Sequence, residues 1–310
     1  MRVWRDVTDV PADLGRTVVT VGNFDGVHRG HQRVVRRARE VAREVDADRV
    51  VVVTFDPHPF AVLRPEHAPL TLSTIRARLG MLEEAGAEDA LVIAFSREIA
   101  GWSPEEFVDR ILVDALHASA VVVGAHFRFG HKAAGDVALL TREGVENDFV
   151  VEGVSLDGGP QVWSSTYIRN CLVAGDVEGA AEALGRPFAV RGTVVEGDRR
   201  GRELGYPTAN VPVAGLAVPA DGVYAGWLRR LDTDETYPAA ISVGTNPTFA
   251  GERDRRMEAY ALDRDDLELY GVEVEIAFVA RLRGMVRFDD LDSLVDQMDD
   301  DVARTAELLS

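Results

Sequence analysis

Residues 18–31 read VVTVGNFDGVHRGH, and the first half of the chain is legible from this stretch outward. Val18 to Val21 form a short β-branched apolar run, which favours a buried strand. Gly22, Asn23, Asp25 and Gly26 make a turn, and a helical pattern begins at His28-Arg29-Gly30-His31. A strand that feeds a helix N-terminus through a glycine-bearing loop is an anion site, because unpaired N–H groups and the positive end of the helix dipole point at it. His28 and His31 are three apart, so on a first helical turn both imidazoles share one face. Gly30 between them lets a phosphate approach the backbone.

The alternation continues. Residues 31–45 have apolar positions at helical spacing, Arg49 to Phe55 reads as a buried strand, and Asp56-Pro57-His58 ends it. Ser73 caps a helix over 74–85, and Ala90 to Phe95 is the next strand. Ser103-Pro104-Glu105-Glu106 starts a helix running to about Leu116, and Ser119 to Val123 is the fourth strand. This β-α-β-α-β-α-β order predicts a parallel sheet with helices on both faces. Ligands of such sheets bind beyond the carboxyl ends of the strands. The histidine loop, Asp56-Pro57 and the segment from Gly124 all fall there. A last short helix is expected over 174–185, and Arg186-Pro187 marks a boundary.

From Phe188 the helical period disappears. Short β-type runs follow at 189–195, 208–212, 222–231, 237–243, 256–262 and 272–282, which predicts a small closed barrel. Leu291 to Leu309 returns to helical spacing. The expected architecture is α/β plus β. Residues 1–186 form a nucleotide-binding, Rossmann-like domain, and 187–310 form a β-barrel with a C-terminal helix.

Composition narrows the function. The chain has 310 residues and a formal net charge of −18, which argues against general nucleic-acid binding yet permits a phosphorylated small molecule in a local basic pocket. No apolar run has the length of a membrane span, and residues 1–15 lack the apolar core of a signal peptide, so a cytoplasmic location and no membrane partner are expected. Cys171 is the single cysteine, which excludes an internal disulfide framework. All seven histidines lie between His28 and His131, so imidazole chemistry belongs to the first half.

GNFDGVHRGH (22–31) resembles the FAD-synthetase branch of the nucleotidylyltransferase superfamily, whose signature is His-x-Gly-His after a strand. The resemblance implies catalytic roles for His28 and His31, with Gly22, Asn23, Phe24 and Gly30 around ATP. Residues 124–136, GAHFRFGHKAAGD, resemble that family's flavin loop. Asp56, Pro57, His126, Phe127, Arg128 and Phe129 are thereby flavin contacts, although the family usually has Asp or Asn where this chain has His126. WSSTYIR (163–169) matches the superfamily's Ser-Ser-Thr-x-Ile-Arg motif, which places Ser164, Ser165, Thr166 and Arg169 on ATP phosphates.

A second block, GDRRGRELGYPTAN (197–210), resembles riboflavin kinase. Gly197, Gly201 and Gly205 make a phosphate-binding loop. Thr208 and Asn210, two apart on a strand, leave one face and offer neutral oxygens that suit Mg²⁺. ISVGTNPTFAG (241–251) and RMEAY (256–260) match the same family. Glu258, a carboxylate in an apolar strand, is by this resemblance the base that accepts the ribityl proton; an ion pair with Arg255 or Arg281 is the structural alternative. The two blocks together resemble the bacterial bifunctional enzymes that make FMN from riboflavin and ATP, then FAD from FMN and ATP. Two rivals stand beside this reading: a chain active only in the barrel, with its N-terminal domain degenerate at His126, and a flavin-binding or regulatory protein with both sites lapsed; homo-oligomer formation is left open.

Overall fold

The computed structural model describes residues 1–155, 163–197, 204–244 and 255–310. The chain divides into two compact units. One comprises Met1–Pro69 and Ile75–Trp163; the other comprises Leu70–Thr74 and Ser164–Ser310.

In the first unit the elements run β1 (Arg2–Trp4), β2 (Thr17–Val21), α1 (Arg29–Glu44), β3 (Arg49–Phe55), α2 (Pro59–Leu63), α3 (Ile75–Ala85), β4 (Asp89–Ile93), α4 (Pro104–Phe107) with a π-helical continuation over Val108–Ala115, β5 (Ala118–Gly124), the two-residue strands β6 (Arg128–Phe129) and β7 (Gly135–Asp136), α5 (Val137–Glu146) and β8 (Val150–Val154). The sheet order is β1-β4-β3-β2-β5-β8, with every pairing parallel. The chain enters the middle at β2, winds outward through β3 and β4, then returns to β5 on the other side. The order therefore reverses between β2 and β5, the place where such sheets open a ligand crevice. All five residues of β2 are buried, as expected of a strand covered on both faces. The strands missing from the sequence reading, β1 and β8, are both edges. β1 has three residues, and β8 is mostly half-exposed, so neither carries an apolar run. The amino ends of three strands are tied by Asp89, 1% exposed, which accepts from Arg2 Nε at 2.8 Å and Arg49 Nη1 at 2.7 Å. This cluster lies at the end of the sheet opposite the histidine loop.

In the second unit, α6 (Ser165–Ala174) and α7 (Val177–Leu184) precede the strands β9 (Phe188–Thr193), β10 (Thr208–Val211), β11 (Gly222–Arg230), β12 (Thr236–Gly244), β13 (Arg256–Ala261) and β14 (Glu273–Gly284), with a C-terminal helix over Leu291–Leu309. The single helix expected over 174–185 is shorter, because Gly175, at φ +75°, ends α6 in the left-handed region and separates it from α7. The six strands form one antiparallel sheet, β10-β13-β12-β11-β14-β9. It is a curled half-barrel rather than the closed barrel expected. Among the described residues the outer strands approach each other through a single bridge, Val195 to Asn210, with no ladder between them. Two register shifts in the β11–β14 ladder, at 223/224 and 225/226, bend the sheet. Phe278 stacks on Phe188 and meets Tyr224 edge-on inside it.

Candidate functional sites

The histidine loop leaves β2 through Gly22, whose N–H donates to Val53 O at 3.0 Å, and through Asn23, whose carbonyl accepts from Thr54 Oγ1. Phe24 and Val27 take positive φ of 49° and 41°, conformations that cost L side chains energy and mark a specified loop. The Phe24 ring is buried; a Cβ on Gly22 would stand 3.2 Å from it, so Gly22 makes room for that ring. His28 is the N-cap of α1, and its Nδ1 accepts the N–H of His31 at 3.3 Å. With Nδ1 an acceptor, the neutral ring carries its proton on Nε2. The two imidazoles stack at 3.6 Å between centroids, and Phe24 packs edge-on against His31. Burial, with His28 and then Arg78 beside it, holds the His31 imidazole well below its usual titration range. His31 Nδ1 is buried with no hydrogen-bond partner among the described residues. The pair is thus a set of neutral donors and acceptors at a helix N-terminus, not two cations.

The neighbouring strands bring up the remaining expected groups of this unit. Asp56 and Pro57 follow β3, on one side of the histidine loop. Ala125 and His126 follow β5, on the other, and Ala125 N donates to Val154 O at 2.9 Å. His126 is exposed, Arg128 pairs with Asp136 at 3.4 Å, and Phe127 and Phe129 stack almost parallel at 5.3 Å. Phe129, 7% exposed, is anchored in the core beside Phe107, while Phe127 is half-buried above it. Sequence reading missed Arg78 and Asp25. Both are buried, and only the unusual placement of an arginine amid the apolar face of α3 signalled the former.

In the second unit, Ser164 caps α6 by accepting from Tyr167 N at 3.1 Å, with Ser165 and Thr166 on the first turn. Arg169 Nε donates to Leu70 O at 2.7 Å.

The half-barrel carries the other cluster. Along β10 Ala209 and Val211 are buried while Thr208 and Asn210 are half-buried, so the latter two share the opposite face. Asn210 is the register partner of Glu258 on β13, and Glu258 is in turn the partner of Ser242 on β12. Residues opposite one another in an antiparallel ladder project on the same face. Of the two arginines weighed as partners of Glu258, Arg255 Nε donates to Asp221 at 2.8 Å, and Arg281 donates to Ala174 O and Asp221 O. A cleft beside this face is lined by Gly197, Thr208, Asn210, Arg264 and Tyr270. A Cβ on Gly197 would lie 2.6 Å from Asn210 Cγ and 2.7 Å from its Oδ1, so only glycine lets this backbone close over the amide. Gly205 has φ +92°, the left-handed region that favours glycine. Gly201 lies outside the described residues. Asn210 Oδ1 is buried with no partner among them. An orphaned neutral oxygen beside a carboxylate and a glycine loop fits a hard cation. Among the described residues no group of three or more His, Cys, Asp or Glu is placed to hold a metal ion, so such a cation would depend on these neutral oxygens and on nucleotide phosphates.

Comparison with known proteins agrees with this division. The FAD synthetase family matches residues 10–166 and the riboflavin kinase family matches residues 184–309. A bifunctional riboflavin kinase/FMN adenylyltransferase of Pseudomonas fluorescens is 40% identical over 99% of this chain and 98% of its own length. The protein of the same name from Escherichia coli K12 is 36% identical over 91% of this chain and 89% of its own. A crystal structure from Streptococcus pneumoniae, described as a macrolide-efflux protein, superposes with a TM-score of 0.86 at 33% identity over 98% of both chains. Among the described residues no helix is long and apolar enough to cross a membrane.

Proposed function

The chain belongs to the bifunctional riboflavin kinase/FMN adenylyltransferase family, and on that premise we propose how its residues divide the two reactions. It is a transferase with two activities, making FMN from riboflavin and FAD from FMN, with ATP as the donor in each. Residues 1–186 are assigned to adenylylation and 187–310 to phosphorylation.

In adenylylation an FMN phosphate oxygen attacks the α-phosphorus of ATP. A new P–O bond forms, the bond to the bridging oxygen breaks, and pyrophosphate leaves. The observation that carries the site assignment is the stacked His28–His31 pair at the α1 N-terminus, where the sheet order reverses. His28 Nε2–H and the free N–H groups of the first turn donate to the phosphates, and the charge that develops on the leaving oxygens is stabilised there. Because His31 is neutral, it contributes hydrogen bonding rather than net charge. Gly22, Asn23, Phe24 and Gly30 shape this pocket, and by their motif Ser164, Ser165, Thr166 and Arg169 are assigned to ATP phosphates. Asp56, Pro57, His126, Phe127 and Arg128 receive the flavin, with Phe129 supporting Phe127 from the core.

In phosphorylation Glu258 accepts the proton of the ribityl hydroxyl as that oxygen attacks the γ-phosphorus; the new P–O bond forms, the bond to the β,γ-bridging oxygen breaks, and ADP leaves. Gly197, Gly201 and Gly205 cradle the nucleotide. Thr208 and Asn210 hold Mg²⁺, which when bound neutralises charge on the transferred and bridging phosphate oxygens. The strong negative charge of the chain disfavours nucleic acid as a partner while leaving room for small phosphorylated substrates in a local pocket, and a cytoplasmic location is consistent with them.

The test is product analysis. The protein is incubated with riboflavin, ATP and Mg²⁺ and the flavins are separated. FMN and FAD are both expected. His28→Ala should let FMN accumulate while FAD formation falls about 10²–10³-fold, the usual cost of a lost charge-stabilising donor. Parental FAD formation in that variant would remove the histidine loop from the site.

A further inference from the structure

The reactions above leave one buried cation without a role. Arg78 stands on α3 and is 4% exposed, and Asp25 in the histidine loop is 1% exposed. Arg78 Nη2 lies 3.6 Å from Asp25 Oδ1. Its Nη1 donates to Phe55 O at 3.3 Å, and Phe55 is the last residue of β3, directly before Asp56-Pro57. One planar guanidinium therefore bridges the loop that carries His28 and His31 and the turn that carries Asp56. Burying an ion pair is a poor route to stability, since desolvation offsets most of the attraction and apolar residues of the same volume do as well. An arginine kept here serves geometry. Its planar guanidinium spans a carboxylate at ion-pair distance and a carbonyl that accepts a hydrogen bond, a reach that a point-charge ammonium does not reproduce.

We propose that Arg78 is a positioning residue for adenylyl transfer, holding the histidine loop and the turn after β3 in register so that the nucleotide and flavin ends of the reaction meet. This rests on the assignment of the histidine loop to ATP made above. Arg78 also bears on His31, whose titration burial, His28 and then Arg78 depress; Asp25 is the counter-charge of the guanidinium. A misplacement of about 1 Å at reacting groups costs on the order of 10²-fold in rate.

The experiment uses the full chain. Arg78→Met, Arg78→Lys and His28→Ala are assayed for FAD formation from FMN and ATP and for FMN formation from riboflavin. The imidazole titrations are followed by NMR. Arg78→Met should lower kcat for FAD formation about 10²-fold with riboflavin phosphorylation retained, and should move the His31 titration to higher pH. Arg78→Lys keeps the charge but not the planar fork and should lower FAD formation selectively by about tenfold, between Arg78→Met and the parent. Parental FAD formation in Arg78→Met, an unmoved His31 titration, or equal loss of both activities overturns the proposal. If Arg78→Met does not fold, Arg78→Lys decides. A selective loss of about tenfold supports the two-way tie, and a parental rate or a loss of both activities refutes it. Parental FAD formation in His28→Ala would instead mean that the loop assignment is wrong, whatever Arg78 does.

Discussion

Asn210 and Glu258 are register partners on the antiparallel strands β10 and β13, and the buried Oδ1 of Asn210 has no hydrogen-bond partner among the described residues. An unsatisfied buried oxygen costs about 1–3 kcal/mol. Its placement on the same face as a carboxylate is what a site completed by a bound cation and substrate requires. Glu258→Gln should therefore lower FMN formation about 10²–10⁴-fold, the usual span for a lost general base, and leave conversion of supplied FMN to FAD intact. Loss of both activities in a folded variant would mean one shared site.

Gly197 gives a sharper probe of the same cluster. An alanine methyl there would press on the Asn210 amide and displace it. Gly197→Ala should raise the Mg²⁺ concentration needed for half-maximal FMN formation, as should Asn210→Ala, while FAD formation from FMN is unchanged. A parental Mg²⁺ dependence in both variants would show that Asn210 holds no cation.

His31 predicts a pH dependence of stability. Its imidazole titrates well below the unfolded value of 6.5, so the folded state resists protonation. The unfolded state then binds more protons as pH falls, which favours unfolding. The stabilisation is fully present above pH 6.5 and is lost progressively below it, toward the depressed folded value. The apparent Tm of the parent should fall more steeply between about pH 6.5 and 5 than that of His31→Gln, which has no imidazole to titrate. Parallel slopes would contradict the buried, neutral state of His31.

The place where the second unit can be cut follows from burial. Ile168 and Val177 are fully buried, and Leu172 and Leu184 are 1% and 2% exposed. α7 packs on β9 and β14, and Ala220 N donates to Leu172 O at 2.8 Å. Each such aliphatic side chain is worth about 1.5–3 kcal/mol when buried. Residues 164–310 expressed alone should fold and make FMN but no FAD. A fragment starting at 187 should melt at least about 10 °C lower or fail to fold, since several kcal/mol shifts a domain of this size by that much. Leu70–Thr74, whose Thr71 pairs with Gly215 and Ala217, is absent from both fragments and so does not enter the comparison. Equal melting temperatures for the two fragments would show that α6 and α7 do not stabilise the half-barrel.

Much of this was open to reading because it is local. The run from Val18 to His31 announces a strand, a tight loop and a helix start through side-chain period and glycine placement, and the structure forms each of them. The alternation of Thr208 and Asn210 with Ala209 and Val211 likewise declares a two-faced strand. What required the tertiary structure is whatever depends on neighbours distant in sequence. β1 and β8 are recognisable only as edges of a sheet already built, since an edge strand is half solvated and needs no apolar run. The half-barrel is left open because bulges and a single bridge set its closure, and neither has a sequence period. Asn210 meets Glu258 through a register that spans 48 positions of chain. Arg78 stands out in the sequence only as an arginine amid the apolar face of α3, and its partners Asp25 and Phe55 appear only once the fold buries it. Local steric and periodic preferences determined the elements and most of the residues at their ends. Burial and long-range register, which arise only when the elements pack, decided that His31 is neutral, that Asn210 Oδ1 is left without a donor among the described residues, and that a guanidinium joins the histidine loop to the end of β3.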